Sequence, residues 1–157
     1  MPDRRLDASA LHDWAHTAVG DLLRHADEIN RLNVFPVADS DTGTNMAFTM
    51  RSALSAADPA TATGDVAVVA AALARGALAG ARGNSGVILS QILRSLAEVT
   101  AEASADTAPA DTGLADVGPA LFGAALRHAV VLVVSAMGGE AVAGTVVAGF
   151  TGVGWVL

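Results

Sequence analysis

Leu11, Trp14, Ala15, Ala18, Leu22, Ile29 and Leu32 recur at three- and four-residue steps, the period of one face of an α-helix. The pattern predicts an amphipathic helix over residues 7–31, with Asp7 or Ser9 as its cap and Trp14 as a core anchor. Pro36 closes helical geometry for the residue before it, so residues 33–43 read as a loop. A second helix is expected from about Thr44 to Ala57, with Met46 and Met50 on its core side. Asp58-Pro59 and residues 61–64 read as a turn. Asp65 then caps an Ala/Val/Leu helix that ends near Ala79. The stretch GARGNSG, residues 80–86, holds three glycines in seven positions and breaks that helix. VILSQILRSLAEV restarts it, with Val87, Ile88, Ile92, Leu96 and Val99 on one side. Residues 101–119 are low-complexity Ala, Asp, Thr and Pro and read as a flexible, solvated loop. Helix resumes near Pro119 and runs through VVLVV.

These elements add up to one domain over residues 1–157: an all-α, antiparallel bundle of about six helices, with no repeat of about 20–50 residues. Its two polar, glycine-bearing loops follow the first and third helices. The last third is different. From Ala129 to Leu157 the only charge is Glu140, and residues 141–157 form a 17-residue uncharged run, near the lower limit of about 17–25 for a membrane span. Six glycines between 138 and 154 make it a poor helix former. A buried core helix is the main expectation, with a membrane-associated segment and an unpacked tail as alternatives.

Composition sharpens this picture. The chain is 52% hydrophobic but 4% aromatic, so its core is built from Ala, Val and Leu, which suits close helix packing. A net charge of −7, with arginine as the only strong base, argues against a nucleic-acid binder. An acidic chain binds phosphate through backbone N–H groups or metal ions. The absence of cysteine excludes disulfides, thiolate catalysis and zinc–sulfur sites. MPDRRLDASALHDW has acids and no apolar core of a signal peptide, so a cytoplasmic location is expected.

Two stretches carry candidate chemistry. In NVFPVADSDTGTNM, residues 33–46, Asp39 and Asp41 stand two apart, and side chains two apart in extended backbone share a side. Two carboxylates there repel unless a hard cation lies between them, and Mg²⁺ favours a few carboxylates plus phosphate and water. Gly43 lets the backbone approach a ligand, and Thr42, Thr44 and Asn45 stand near a helix start whose free N–H groups favour anions. Local capping and Asx-turns explain the same residues. In GARGNSG, Asn84, Ser85 and Gly86 stand before an apolar helix, an arrangement that suits a phosphate or, equally, a helix stop and new cap. The stretch is not a Walker A loop, since lysine is absent.

Together, NVFPVADSDTGTNM and GALAGARGNSGVILSQILRS resemble the DhaL-type nucleotide-binding domain of the dihydroxyacetone (glycerone) kinase family, most closely its bacterial fatty-acid-kinase branch. The resemblance runs over residues 14–94 and returns at 121–129 and Gly144-Thr145. It implies a barrel of about eight antiparallel helices with ATP at one end. Asp39 and Asp41 then correspond to the Mg²⁺ ligands. Thr42, Gly43, Thr44 and Asn45 lie beside the phosphates, and Asn84, Ser85 and Gly86 form a second phosphate-contacting turn. The implied activity is phosphoryl transfer from ATP to a hydroxy- or carboxylate-bearing substrate, held by a partner protein that carries a fatty acid or another acceptor.

The chain departs from that pattern at Ser40 (family glycine), Ala38 (family proline) and Asn33, the nearest position to an upstream aspartate of the glycerone-kinase branch. After His128 the match fades, with Ala143 in place of a family glutamate. The last family helices have no counterpart, so a truncated, inactive nucleotide-binding remnant is the alternative expectation, and an exposed apolar seam would favour a homodimer. His12, His16, His25 and His128 read as surface or partly packed side chains. Arg82 reads equally as a phosphate ligand or an ion-pair partner.

Overall fold

The computed structural model describes residues 5–32, 41–107 and 113–138. Over these residues the chain is all-α. Five helices follow in order: α1 (Ala8–Leu32), α2 (Thr42–Ala57), α3 (Val66–Ala79), α4 (Gly83–Thr107) and α5 (Pro119–Met137). A 3₁₀ turn, Asp58–Thr63, joins α2 to α3. Two short strands, β1 (Leu6–Asp7) and β2 (Asp116–Val117), pair antiparallel with Leu6 opposite Val117. The expected sixth helix falls on residues 141–157, outside the described residues.

Each helix packs chiefly on the next one in the chain, because short links leave an apolar helix little choice but its sequence neighbour. The core runs through Leu11, Met50, Val66, Val69, Leu73, Leu93 and Val133, all about fully buried, and is filled between them by alanines. Small side chains let backbones approach closely. At Gly76 an added methyl would stand 2.4 Å from the Ser52 carbonyl oxygen and 2.9 Å from the Ala53 Cα. The C-terminal half of α3 therefore lies directly on the middle of α2.

Several starts follow the sequence. Asp7 caps α1, accepting from the Ala10 N–H at 2.8 Å. Asp65 caps α3, accepting from Ala67 N–H at 2.9 Å and from Leu114 N–H at 3.1 Å. Gly118-Pro119 opens α5, and Gly138, at φ 68°, closes it with its N–H on the Val134 carbonyl.

Three expectations are corrected. Residues 101–107, read as loop, continue α4: Ala and Glu favour helix, and the compositional signal hid that preference. Within the same predicted loop, Asp116 and Val117 form β2, and Val117 is buried. Trp14 is 47% exposed, because Leu11 and the small Ala8 and Ala15 occupy the core side of α1. Met50 is buried as expected, with Met46 half-buried.

Among the described residues one helix, α5, is long and apolar enough to cross a membrane, with a mean hydropathy of 1.8. Its Ala125, Ala129 and Val133 are buried in the bundle, whereas Val131 is 59% exposed. The uncharged run 141–157 lies outside the described residues. Helix α5 is tied to α4 by the Ser95 hydroxyl, which donates to the Ala125 carbonyl at 2.6 Å, and by Glu98. The Glu98 carboxylate accepts from His128 Nε2 at 2.6 Å and from Arg94 Nε at 2.7 Å. The His128 hydrogen bond, aided by Arg94 and opposed by partial burial, holds the Glu98 carboxyl below its ordinary value of 4.5.

Two outcomes are expected. Gly76→Ala lowers stability by about 1–3 kcal/mol in chemical denaturation, although alanine is favoured over glycine by about 1 kcal/mol in a helix; a neutral result would mean that α2 and α3 do not touch there. A carboxylate with a lowered folded-state value stabilises above its ordinary value and loses that contribution as pH falls through the lowered one. Glu98→Gln should therefore cost less than about 1 kcal/mol at pH 7, since the pair is partly exposed, and that cost should vanish as the pH falls below the lowered value.

Candidate functional site

Helices that alternate in direction bring the links after α1 and α3 to the same end of the bundle. Both chemically loaded stretches occupy those links, so alternation alone predicts that they meet. They do. The Ser85 hydroxyl donates to the Thr42 carbonyl at 3.5 Å. A methyl group on Gly83 would fall 2.6 Å from the Asn45 amide nitrogen. Thr49, fully buried, donates to the Asn45 carbonyl at 2.8 Å and accepts from the Arg82 N–H at 3.3 Å. Gly86 packs against the same hydroxyl, where a Cβ would stand 2.5 Å away. The start of α2 and the start of α4 thus form one surface.

Both starts differ from expectation by a few residues. Helix α2 begins at Thr42 rather than Thr44, and α4 begins at Gly83. Thr42, Gly43, Thr44, Asn45 and Asn84, Ser85, Gly86 are therefore first-turn helical residues. Within α2, successive positions turn by about 100°, which sorts the four. Thr42 and Asn45 face α4. Gly43 faces α1, so closely that a Cβ would stand 2.5 Å from the Ala26 carbonyl oxygen. Thr44 lies at the α1–α2 seam, its hydroxyl accepting from Asn30 Nδ2 at 2.9 Å. Asn84 is exposed, Ser85 half-buried and Gly86 buried.

The amides at the two starts are in opposite states. At α2, Asn30 Oδ1 accepts from Gly43 N–H at 2.7 Å and from Thr44 N–H at 3.2 Å, so these two groups are already satisfied rather than free. At α4, Gly86 N–H bonds back to the Arg82 carbonyl at 3.0 Å, and no acceptor among the described residues meets the Asn84 and Ser85 N–H groups. The open, anion-favouring start is that of α4.

Asp41 is the N-cap residue of α2, yet its side chain makes no capping bond. It is exposed, and its carboxylate has neither a hydrogen bond nor an ion pair among the described residues. This separates it from Asp7 and Asp65, which hold the same place in α1 and α3 and do cap. Local capping, which explains an aspartate at a helix start, does not explain Asp41. Asp39 lies outside the described residues. Among the described residues no three acidic, histidine or cysteine side chains cluster as a metal cage. The donors present are hard oxygens, a fit for a cation that takes most of its ligands from phosphate and water.

Among the described residues Arg82 pairs with no acid. Its guanidinium stacks over the Phe48 ring at 4.2 Å from the centroid, beside an open groove of about 670 Å³ between α2 and α3 that Arg51 and Ser52 also line. The histidines are surface or half-buried side chains, and His12 contacts Asp58 at 2.8 Å. Asn30 and Thr49 were not legible as site residues. Thr49 left one signal, a hydroxyl on the Met46–Met50 face of an apolar helix.

The DAK2 domain family profile matches residues 36–151. Protein YloV of Bacillus subtilis is 42% identical over 98 residues, 62% of this chain and 18% of that protein. An uncharacterised protein of Staphylococcus saprophyticus is 38% identical over 94 residues, 60% of this chain and 17% of that one. A Staphylococcus aureus protein, also uncharacterised, is 42% identical over 90 residues, 57% and 16% of the two chains. The matched stretch is less than a fifth of the length of these relatives.

Gly83 has φ 61°, a left-handed conformation that alanine adopts at a cost of about 1–2 kcal/mol. Gly83→Ala should destabilise the chain by at least that amount in urea unfolding, and Asn45→Ala should recover only the part due to contact.

Proposed function

The chain belongs to the DAK2 domain family, the nucleotide-binding domain of dihydroxyacetone-kinase-type proteins, and we propose that it binds ATP with Mg²⁺ where α2 and α4 begin. The observation that carries this reading is the Asp41 carboxylate, which makes no capping bond and has no partner among the described residues, at a helix start that the Ser85 hydroxyl joins to the start of α4. A negative group and a positive helix end, at adjoining helix starts and both without a partner among the described residues, suit a ligand that presents cation and phosphate together.

In this reading the bound Mg²⁺ supplies charge neutralisation of the phosphates and fixes their geometry for in-line transfer. Asp41, with Asp39 of the same motif, holds the cation. The Asn84 and Ser85 N–H groups hold phosphate oxygens, and the Thr42 and Ser85 hydroxyls line the space between. Thr49 and Gly83 fix the distance between the two helix starts. Gly43, Thr44 and Asn45 shape the α2 start that presents Asp41. The roles given to these residues are positioning and electrostatics, the main protein contribution in phosphoryl transfer.

The acceptor is proposed to be a hydroxy- or carboxylate-bearing substrate held by a partner protein, such as a fatty-acid carrier, in the cytoplasm. The resemblance to the fatty-acid-kinase branch supports that part.

Calorimetry with ATP tests the reading directly. Micromolar binding in Mg²⁺ that disappears in EDTA is expected. Asp41→Ala should weaken it at least about 30-fold, the loss of about 2 kcal/mol for a charge-assisted contact. Magnesium-dependent binding of unchanged affinity in that variant would overturn the assignment.

A further inference from the structure

A helix start needs acceptors for its N2 and N3 amides, and the side chain at the N-cap ordinarily provides them. In α2 those amides belong to Gly43 and Thr44, and the N-cap residue is Asp41. An aspartate is among the best capping residues. Here it does not cap, because Asn30 has taken both amides: its Oδ1 accepts from Gly43 N–H at 2.7 Å and Thr44 N–H at 3.2 Å. Its Nδ2 then donates to the Thr44 hydroxyl at 2.9 Å. Asn30 sits on the last turn of α1, and the contact is part-buried.

The close approach of the two helices at Gly43, where a Cβ would meet the Ala26 carbonyl at 2.5 Å, holds this carboxamide in place. With a larger residue at 43, α1 would stand too far off for the cap to reach.

We propose that Asn30 is a positioning residue that caps α2 in place of Asp41 and so releases the Asp41 carboxylate for a cation. This rests on the reading of Asp41 as a metal ligand, but its structural half stands on the hydrogen bonds alone. The consequence is an exchange. Without Asn30, the Asp41 side chain, at the N-cap, is an acceptor within reach of the amides of its own helix start. It would turn back onto them, as Asp7 and Asp65 do in α1 and α3, and be lost to the ligand. Aspartate at position 30 would keep both acceptor bonds and take its third from the Thr44 hydroxyl, so it should preserve the arrangement.

Two readouts on the full chain test this. The first needs no nucleotide. Asp41→Ala should leave the melting temperature of the parent protein unchanged, and should lower that of Asn30→Ala by about 3 °C or more, the size of one cap in a domain of this length. An equal effect of Asp41→Ala in both backgrounds would overturn the cap exchange. The second is the Mg²⁺ concentration that gives half-maximal ATP binding. Asn30→Ala should raise it about tenfold in folded protein, and Asn30→Asp should return it to the parent value. A parent protein that binds Mg-ATP, together with an Asn30→Ala variant whose Mg²⁺ midpoint is unmoved, would overturn the proposal and leave the nucleotide reading intact. A folded parent protein that binds no Mg-ATP would overturn the nucleotide reading, while the melting cycle still decides the cap exchange.

Discussion

The first turn of α2 is gripped from two sides, and the geometry of the motif end depends on that grip. From α1, Asn30 bonds two of its amides and one hydroxyl. From the α4 side, Ser85 reaches the Thr42 carbonyl and Arg82 N–H reaches Thr49. Neither contact is strong alone, since a net hydrogen bond contributes about 1 kcal/mol. Their value lies in direction. A helix held at its start from both flanks cannot rotate, so the residue just before it, Asp41, is aimed by its neighbours rather than by its own bonds.

Glycine makes the grip feasible. At Gly43 and Gly76 a methyl group would come within 2.5 Å of a backbone oxygen, and at Gly86 within 2.5 Å of the Thr49 hydroxyl, so each marks a place where two segments touch with no room for a side chain. An alanine-rich core extends the same logic along the helices. Close packing of small residues fixes helix positions with little side-chain volume, which leaves the chemistry to a few polar groups at one end. The far end is held by different means, with Asp65 bonding both its own helix and Leu114, and β1 pairing with β2.

Much of this was legible in the sequence because it is local or periodic. The stripe of α1, the Asp65 cap and the Gly80–Gly86 break depend on residues within a turn or two of one another. That the two motifs share one end follows from counting helices. What was not legible depends on distance. Asn30 acts 13 and 14 residues away, across a proline-containing stretch, and no spacing rule points from one to the other. Trp14 and Leu11 are both apolar and three apart, so periodicity could not say which of them faces the core. Residues 101–107 continue α4 because helix preference outweighed a composition that resembles a linker. The contact of the Thr44 hydroxyl with Asn30 at the α1 seam was hidden for the same reason as the Asn30 cap, since it too joins residues distant in the chain.

The central claim is that the starts of α2 and α4 form a single site for a cation and its phosphates. Backbone amide spectra of the ¹⁵N-labelled chain, recorded with ADP while Mn²⁺ replaces Mg²⁺, test it most directly. The account predicts that the amides of Thr42–Asn45 and of Gly83–Gly86 broaden together, at the same Mn²⁺ concentration, while those near Asp65 and Leu114 at the far end stay sharp. Broadening confined to one of the two starts, or centred elsewhere on the bundle, would contradict it.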